Sequence, residues 1–151
     1  MRKVLIIACG ARKVETGGQR MRALDLYAGR QFRLARQLER MGWVVLILSA
    51  EHGLIQAAQP IATYDRRMDA ARAEELAGTA LQGSKFGVSV GRHDRCVVYG
   101  GALYRGVVAA WAAKRGVTLE PITGRGIGEH YSKLAELVRN EAGAGLLGRA
   151  A

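Results

Sequence analysis

Four short apolar runs mark the chain, and each is continuous rather than alternating. Lys3–Ala8 holds Val4-Leu5-Ile6-Ile7, the second run reads Val44-Val45-Leu46-Ile47-Leu48, Arg95–Tyr99 encloses Cys96-Val97-Val98, and the fourth covers 117–122. Runs of this kind fit strands buried on both faces, as in a parallel sheet. Between and after them the apolar residues recur at helical spacing. Over 30–41, Leu34, Ala35, Leu38 and Met41 share one face, while Arg33, Arg36 and Arg40 share another. Asp69 is placed to cap a helix over 69–81 that has Glu74 and Glu75 early in it. Val107, Val108 and Trp111 give an apolar face to 102–114, and the last helix is expected over 129–140. Gly42 and Gly116 stand where helices end. The stretch between Leu48 and Asp65 reads as a long loop with a helical turn around 53–58. Gly83-Ser84 closes the third helical segment, and 85–92 stays ambiguous between strand and loop.

Strand and helix alternating four times predict an α/β fold. The expected form is a three-layer α/β/α sandwich on a small, mainly parallel four-stranded sheet. One domain is expected over 1–142, with a flexible Gly- and Ala-rich tail at 143–151. A chain of 151 residues, 49% apolar, is long enough for a sizeable core and unlike a disordered one. No run reaches the length of a membrane span and the N-terminus lacks a secretory pattern, so no membrane partner and a cytoplasmic location are expected.

The net charge of +10 points to a polyanionic partner such as DNA, RNA or a free nucleotide. An Ala-, Gly- and Arg-rich composition can also give that charge with no such partner. Cys9 and Cys96 form neither a disulfide framework nor a zinc pattern. Cys96 belongs to an apolar run and should be buried; Cys9, at a strand end, reads as a reactive thiol or as a small residue in a tight turn. His52, His93 and His130 lack metal-ligand spacing. No metal or cofactor is expected.

Ligands of open parallel sheets bind beyond the carboxyl ends of the strands. Here those positions are Cys9, Gly10, Arg12 and Lys13; Ser49, Glu51 and His52; Tyr99, Gly100, Gly101, Tyr104 and Arg105; and Gly124, Arg125, Gly126 and Gly128. The Gly124 to Gly128 loop is either a backbone phosphate cradle before a helix or a tight turn for packing. His52, beside Glu51, suits acid–base work or simply bonds its loop. Asp65 after Tyr64 is either a catalytic carboxylate or a turn cap. Gly-x-Ser-x-Gly is absent, which argues against a serine hydrolase.

Ala8-Cys9-Gly10-Ala11-Arg12-Lys13, Asp25-Leu26-Tyr27-Ala28-Gly29 with Phe32, and Leu48-Ser49-Ala50-Glu51-His52-Gly53-Leu54 with Pro60 and Tyr64-Asp65 occur in that order. In these motifs the chain resembles a bacterial and phage family of uncharacterised domains with Cys-x-x-x-Lys and Ser-Ala-Glu/Lys-His-Gly-Leu loops. It is distantly similar to the YaaA-type peroxide-stress proteins and to the uracil-DNA glycosylase superfamily. The resemblance implies a parallel sheet with its site at the ends of the first and last strands, and nucleobase chemistry such as N-glycosidic cleavage. On that reading Asp65, His52 and Glu51 are catalytic, Arg12, Lys13 and Arg125 hold phosphate, and Tyr27, Tyr64 or Tyr104 stacks on a base. Two departures stand against ordinary uracil excision. The first loop has no carboxylate before Glu15, and Thr123 to Gly128 replaces a His-Pro-Ser motif. A non-catalytic DNA-binding or damage-response module, and an enzyme of free nucleotides or nucleosides, are the alternatives.

Overall fold

The computed structural model of the protein describes residues 1–79 and 90–150, with side chains through 145. The expected close of the third helix at Leu81 and Gly83-Ser84, and most of the ambiguous 85–92 segment, lie outside the described residues. Strands β1 (Lys3–Ala8), β3 (Val44–Ser49), β6 (Arg95–Tyr99) and β7 (Leu119–Pro121) are the four parallel strands read from the apolar runs. A fifth strand, β4 (Gly53–Gln56), joins them, and the sheet order is β4-β3-β1-β6-β7.

β4 replaces the expected helical turn. Ser49 pairs with Gly53 across an antiparallel ladder, so Ala50, Glu51 and His52 form a tight hairpin turn. Gly53 sits at φ +76°, the left-handed conformation such a turn requires of its last residue. Leu54 and Ile55 then go into the core. Met21–Arg22 (β2) and Pro60–Ile61 (β5) pair as a small separate ribbon.

Successive residues of the parallel strands point to opposite faces, and two cores result. Leu5, Ile7, Val45, Ile47 and Val97 pack with Phe32, Ala35 and Leu38 of α2 (Arg30–Arg40) and with Leu134 and Val138 of α5 (Ile127–Ala150). Val4, Ile6, Leu46, Leu48, Cys96 and Val98 pack with Ala73 and Leu76 of α3 (Ala70–Thr79) and with Val107, Val108 and Trp111 of α4 (Ala102–Arg115). The short helix α1 (Ala23–Leu26) precedes α2. Met41 caps α2 and is 39% exposed instead of joining its apolar face. Arg36 leaves the solvated stripe to donate to the Leu24 carbonyl. α5 begins at Ile127 and carries on through the Gly- and Ala-rich segment at which fraying was expected.

β1 and β6 are neighbours, yet the chain leaves β1 for α2 on one face and β6 for α4 on the other. A crevice opens at such a switch point, beyond the strand ends. Ala8 and Gly100 line its floor. A Cβ on Gly100 would stand 2.8 Å from the Ala8 Cβ, so only glycine lets the two strand ends come this close.

Candidate active site

The crevice is two adjoining clefts with a shared wall. The first, about 440 Å³, is lined by Cys9, Gly10, Ala11 and Lys13 from the loop after β1, by Asp65, Arg66, Arg67 and Met68, and by Tyr104. The second, about 420 Å³, lies over Gly100 and Gly101 and is closed by Tyr99, Gln31, the Gly124-Arg125-Gly126 loop and His130. Cys9 and Tyr104 line both. Their side chains share a hydrogen bond, 3.3 Å from Sγ to the phenol oxygen. Cys9 Sγ also accepts the Ala50 N–H at 3.4 Å, and its backbone N–H continues the ladder to the Leu48 carbonyl. Burial, then the bond to Cys9, holds the Tyr104 phenol above its ordinary range, so it stays protonated at neutral pH.

The polar residues behind the first cleft are structural. Ser49 is fully buried; its hydroxyl donates to Tyr64 at 2.8 Å and accepts the Glu51 and His52 N–H groups at 3.2 and 3.1 Å. That is how a serine replaces ladder bonds in a tight turn. Tyr64 shares a 2.7 Å hydrogen bond with Tyr27, which is 1% exposed and stacked on Phe32. Burial raises both phenols well above their usual range. The Lys13 ammonium stands 4.4 Å from the Tyr64 ring centroid, and the His52 ring meets that same tyrosine edge-on. Tyr27 therefore belongs to the core and cannot stack on a base. Tyr64 has its ring taken up by Lys13 and His52, and Ser49 has no surface for a ligand.

The remaining candidates divide. Asp65, Cys9, Gly10 and Lys13 meet at the first cleft, and Gly124, Arg125, Gly126 and Tyr104 at the second. His52 does not join Asp65. It is exposed in the β3–β4 turn, outside the residues lining either cleft. Glu51 faces Arg66, 3.6 Å away, as part of a surface pair. Arg72 holds that turn to α3 by donating to the Ala50 and Glu51 carbonyls at 2.7 and 2.9 Å. Asp69 caps α3 through the Arg72 N–H, as the sequence led us to expect. Arg12 is exposed outside both clefts, and Arg105 donates to the Gly100 carbonyl at 3.1 Å.

The glycine loop is a packing turn at one end. The Glu129 carboxylate accepts the Arg125 N–H at 2.9 Å, which takes one donor a phosphate would need and lowers that carboxyl. A Cβ on Gly124 would meet the Glu129 side chain at 2.9 Å. Gly128 lies in the first turn of α5, away from the cleft lining. Cys96 is buried as expected, and burial pushes its thiol up to about 12.

Arg66, Arg67, Gln31 and His130 line the clefts without having stood out in the sequence. The signal for the arginines was their place directly after Asp65. His130 follows a glycine-rich loop by two residues, at the start of a helix. Among the described residues no three His, Cys, Asp or Glu side chains converge to hold a metal ion, and no helix is long and apolar enough to cross a membrane.

The fold and the crevice define an α/β protein of the doubly wound class, with its candidate site at the sheet's switch point. The chain belongs to the family described as "Family of unknown function (DUF6884)", whose pattern it matches over residues 4–136. No curated protein matches it, and no solved structure does.

Proposed function

We propose that the protein is an enzyme acting on a nucleotide unit, in DNA or free, and that it cleaves the N-glycosidic bond. The observation that carries this reading is the first cleft: the Asp65 carboxylate stands among Lys13, Arg66 and Arg67, beside a second cleft walled by glycines and tyrosines. Cations of this density suit a phosphodiester, and the adjoining cleft is wide enough for a flat heterocycle. The meeting of the loops after the first and last parallel strands also supports the likeness to the uracil-DNA glycosylase superfamily, with the YaaA-type proteins as more distant company.

In the proposed reaction a water oxygen bonds to the anomeric carbon while the carbon–nitrogen bond breaks. The electron pair of that bond leaves with the base as its anion, which then takes a proton from solvent, while Asp65 returns to solvent the proton it accepts from the water. Asp65 faces the positive charge that develops on the sugar and accepts the proton from water. Lys13 and Arg67 hold the phosphate. His52 has no part in this scheme.

The test is to incubate the protein with normal and modified DNA, RNA and nucleosides and to look for released base by chromatography. Release is expected from at least one substrate, and Asp65→Asn should lower its rate by about 10²- to 10³-fold, the range for loss of one electrostatic stabiliser. A second reading is favoured by the place of His52 outside the lining of the cleft that holds Asp65: a DNA-binding module without turnover. Salt-sensitive DNA binding that survives Asp65→Asn, with no base released from any substrate, would establish it.

A further inference from the structure

We infer that the second cleft is the seat of the ligand's heterocyclic base, and that His130, not His52, is the histidine that bonds it. The inference rests on the nucleotide reading above but on separate observations. The His130 Nε2 atom is a buried side-chain nitrogen with no hydrogen-bond partner, the single such atom among the described residues. Buried polar atoms are nearly always satisfied, and His130 is a residue of the second cleft's lining, so the bond this nitrogen lacks is one that a ligand seated there can supply when the ring turns to meet it. The His130 ring stands 6.5 Å from the Tyr99 ring, centroid to centroid, in an edge-to-face arrangement that fixes its direction.

The walls support a flat ligand. Gly101 has an ordinary φ of −69°, and nothing lies within 4 Å of where its Cβ would stand. Gly126 is open in the same way. Neither the backbone nor the packing of the chain demands glycine at these two positions. Both glycines line the cleft, and a side chain at either would begin in open space. Ala8, Tyr99, Tyr104 and Ile127 give it an apolar body, while Gln31, Arg125 and His130 supply a few polar groups at its edge. An apolar slot with sparse, directed polar groups is how proteins hold a small ring system. Lys13, Arg66 and Arg67 on the far side of the Cys9–Tyr104 wall leave the charged part of a nucleotide to the first cleft.

The experiment is a titration of protein carrying ¹⁵N-labelled histidine with the four deoxynucleoside monophosphates and with 2-deoxyribose 5-phosphate. At least one nucleotide is expected to move the His130 Nε2 resonance, leave that of His52 in place, and bind at least tenfold more tightly than the sugar phosphate. Gly101→Leu, and independently Gly126→Val, should abolish this tenfold advantage while leaving the affinity for 2-deoxyribose 5-phosphate unchanged. His130→Ala should reduce the advantage without touching sugar-phosphate binding. Equal binding of nucleotides and sugar phosphate, with His130 silent, overturns the base seat and leaves the phosphate cleft standing. A response at His52 alone also overturns it. Binding by none of the five probes removes the base seat and the nucleotide reading together.

Discussion

The two ends of the sheet are built by opposite rules. At the amino end the charged groups close on one another. Glu141 of α5 accepts from Lys3 of β1 at 2.8 Å and from the Trp43 indole at 3.1 Å, and stands 3.6 Å from Arg95 of β6. Arg95 also pairs with Glu120 of β7 at 3.0 Å, and Arg2 with Asp94 at 2.9 Å. The Gly91 N–H and the Arg2 guanidinium hold the Asp94 carboxyl down at about 2. A hollow of about 560 Å³, larger than either cleft, lies here beside Lys3 and Glu141, with those two charges already joined. At the carboxyl end Lys13, Asp65, Arg67 and Arg125 make no ion pair among the described residues. Volume and unpaired charge thus fall at opposite ends, and the proposed site follows the charge.

The sharpest break of this contrast is Glu141→Ala. It leaves Lys3, Arg95 and the Trp43 N–H without their shared acceptor and should cost about 2–3 kcal/mol in urea unfolding. Binding and any base release should keep their wild-type constants in the folded protein. Ser49→Ala tests a carboxyl-end residue that follows the amino-end rule. It removes one of the Tyr64 hydroxyl's two partners and the acceptor of two N–H groups, for a loss of about 2 kcal/mol by the same measurement.

A smaller effect is expected from pH. Burial alone would raise the Glu141 carboxyl, but hydrogen bonds from Lys3 and Trp43 and the charges of Lys3 and Arg95 outweigh it and hold it low. A carboxyl depressed in the folded state stabilises fully above its unfolded value, and that contribution fades as pH falls through the folded value. Unfolding free energy should therefore begin to fall below about pH 4.5, and Glu141→Gln should flatten that part of the curve. The smallest change in stability, within about 0.5 kcal/mol, is expected for Arg67→Ala. Its effect belongs to the ligand: the slope of log affinity for DNA against log salt should lessen by about 1. An unchanged slope would remove Arg67 from the phosphate-holding set.

The parallel strands and the helices were legible in the sequence because burial on both faces writes itself as unbroken apolar runs. β4 was not, because Leu54-Ile55 is too short a run to signal a strand; Gly53, read for its conformation, was the clue. Cys9, Lys13 and Gly124 to Gly126 could be placed from their position after strands, and Asp65 from its place beside Tyr64 in the motif that follows Pro60. Tyr27 and Ser49 misled because a polar side chain in a core looks the same in sequence as one in a site. His130 was passed over because whether a nitrogen is satisfied depends on packing that no local pattern records.

The close approach of Ala8 and Gly100 has a mechanical consequence. The width of the second cleft's floor is set by the pairing of β1 with β6, not by the loops above it. A ligand arriving there meets a surface as stiff as the sheet itself, and the ordering cost of binding falls on the loop residues that touch it from above. Widening that floor, as any side chain at position 100 would, loosens the second cleft and should show as faster amide exchange along β1 and β6.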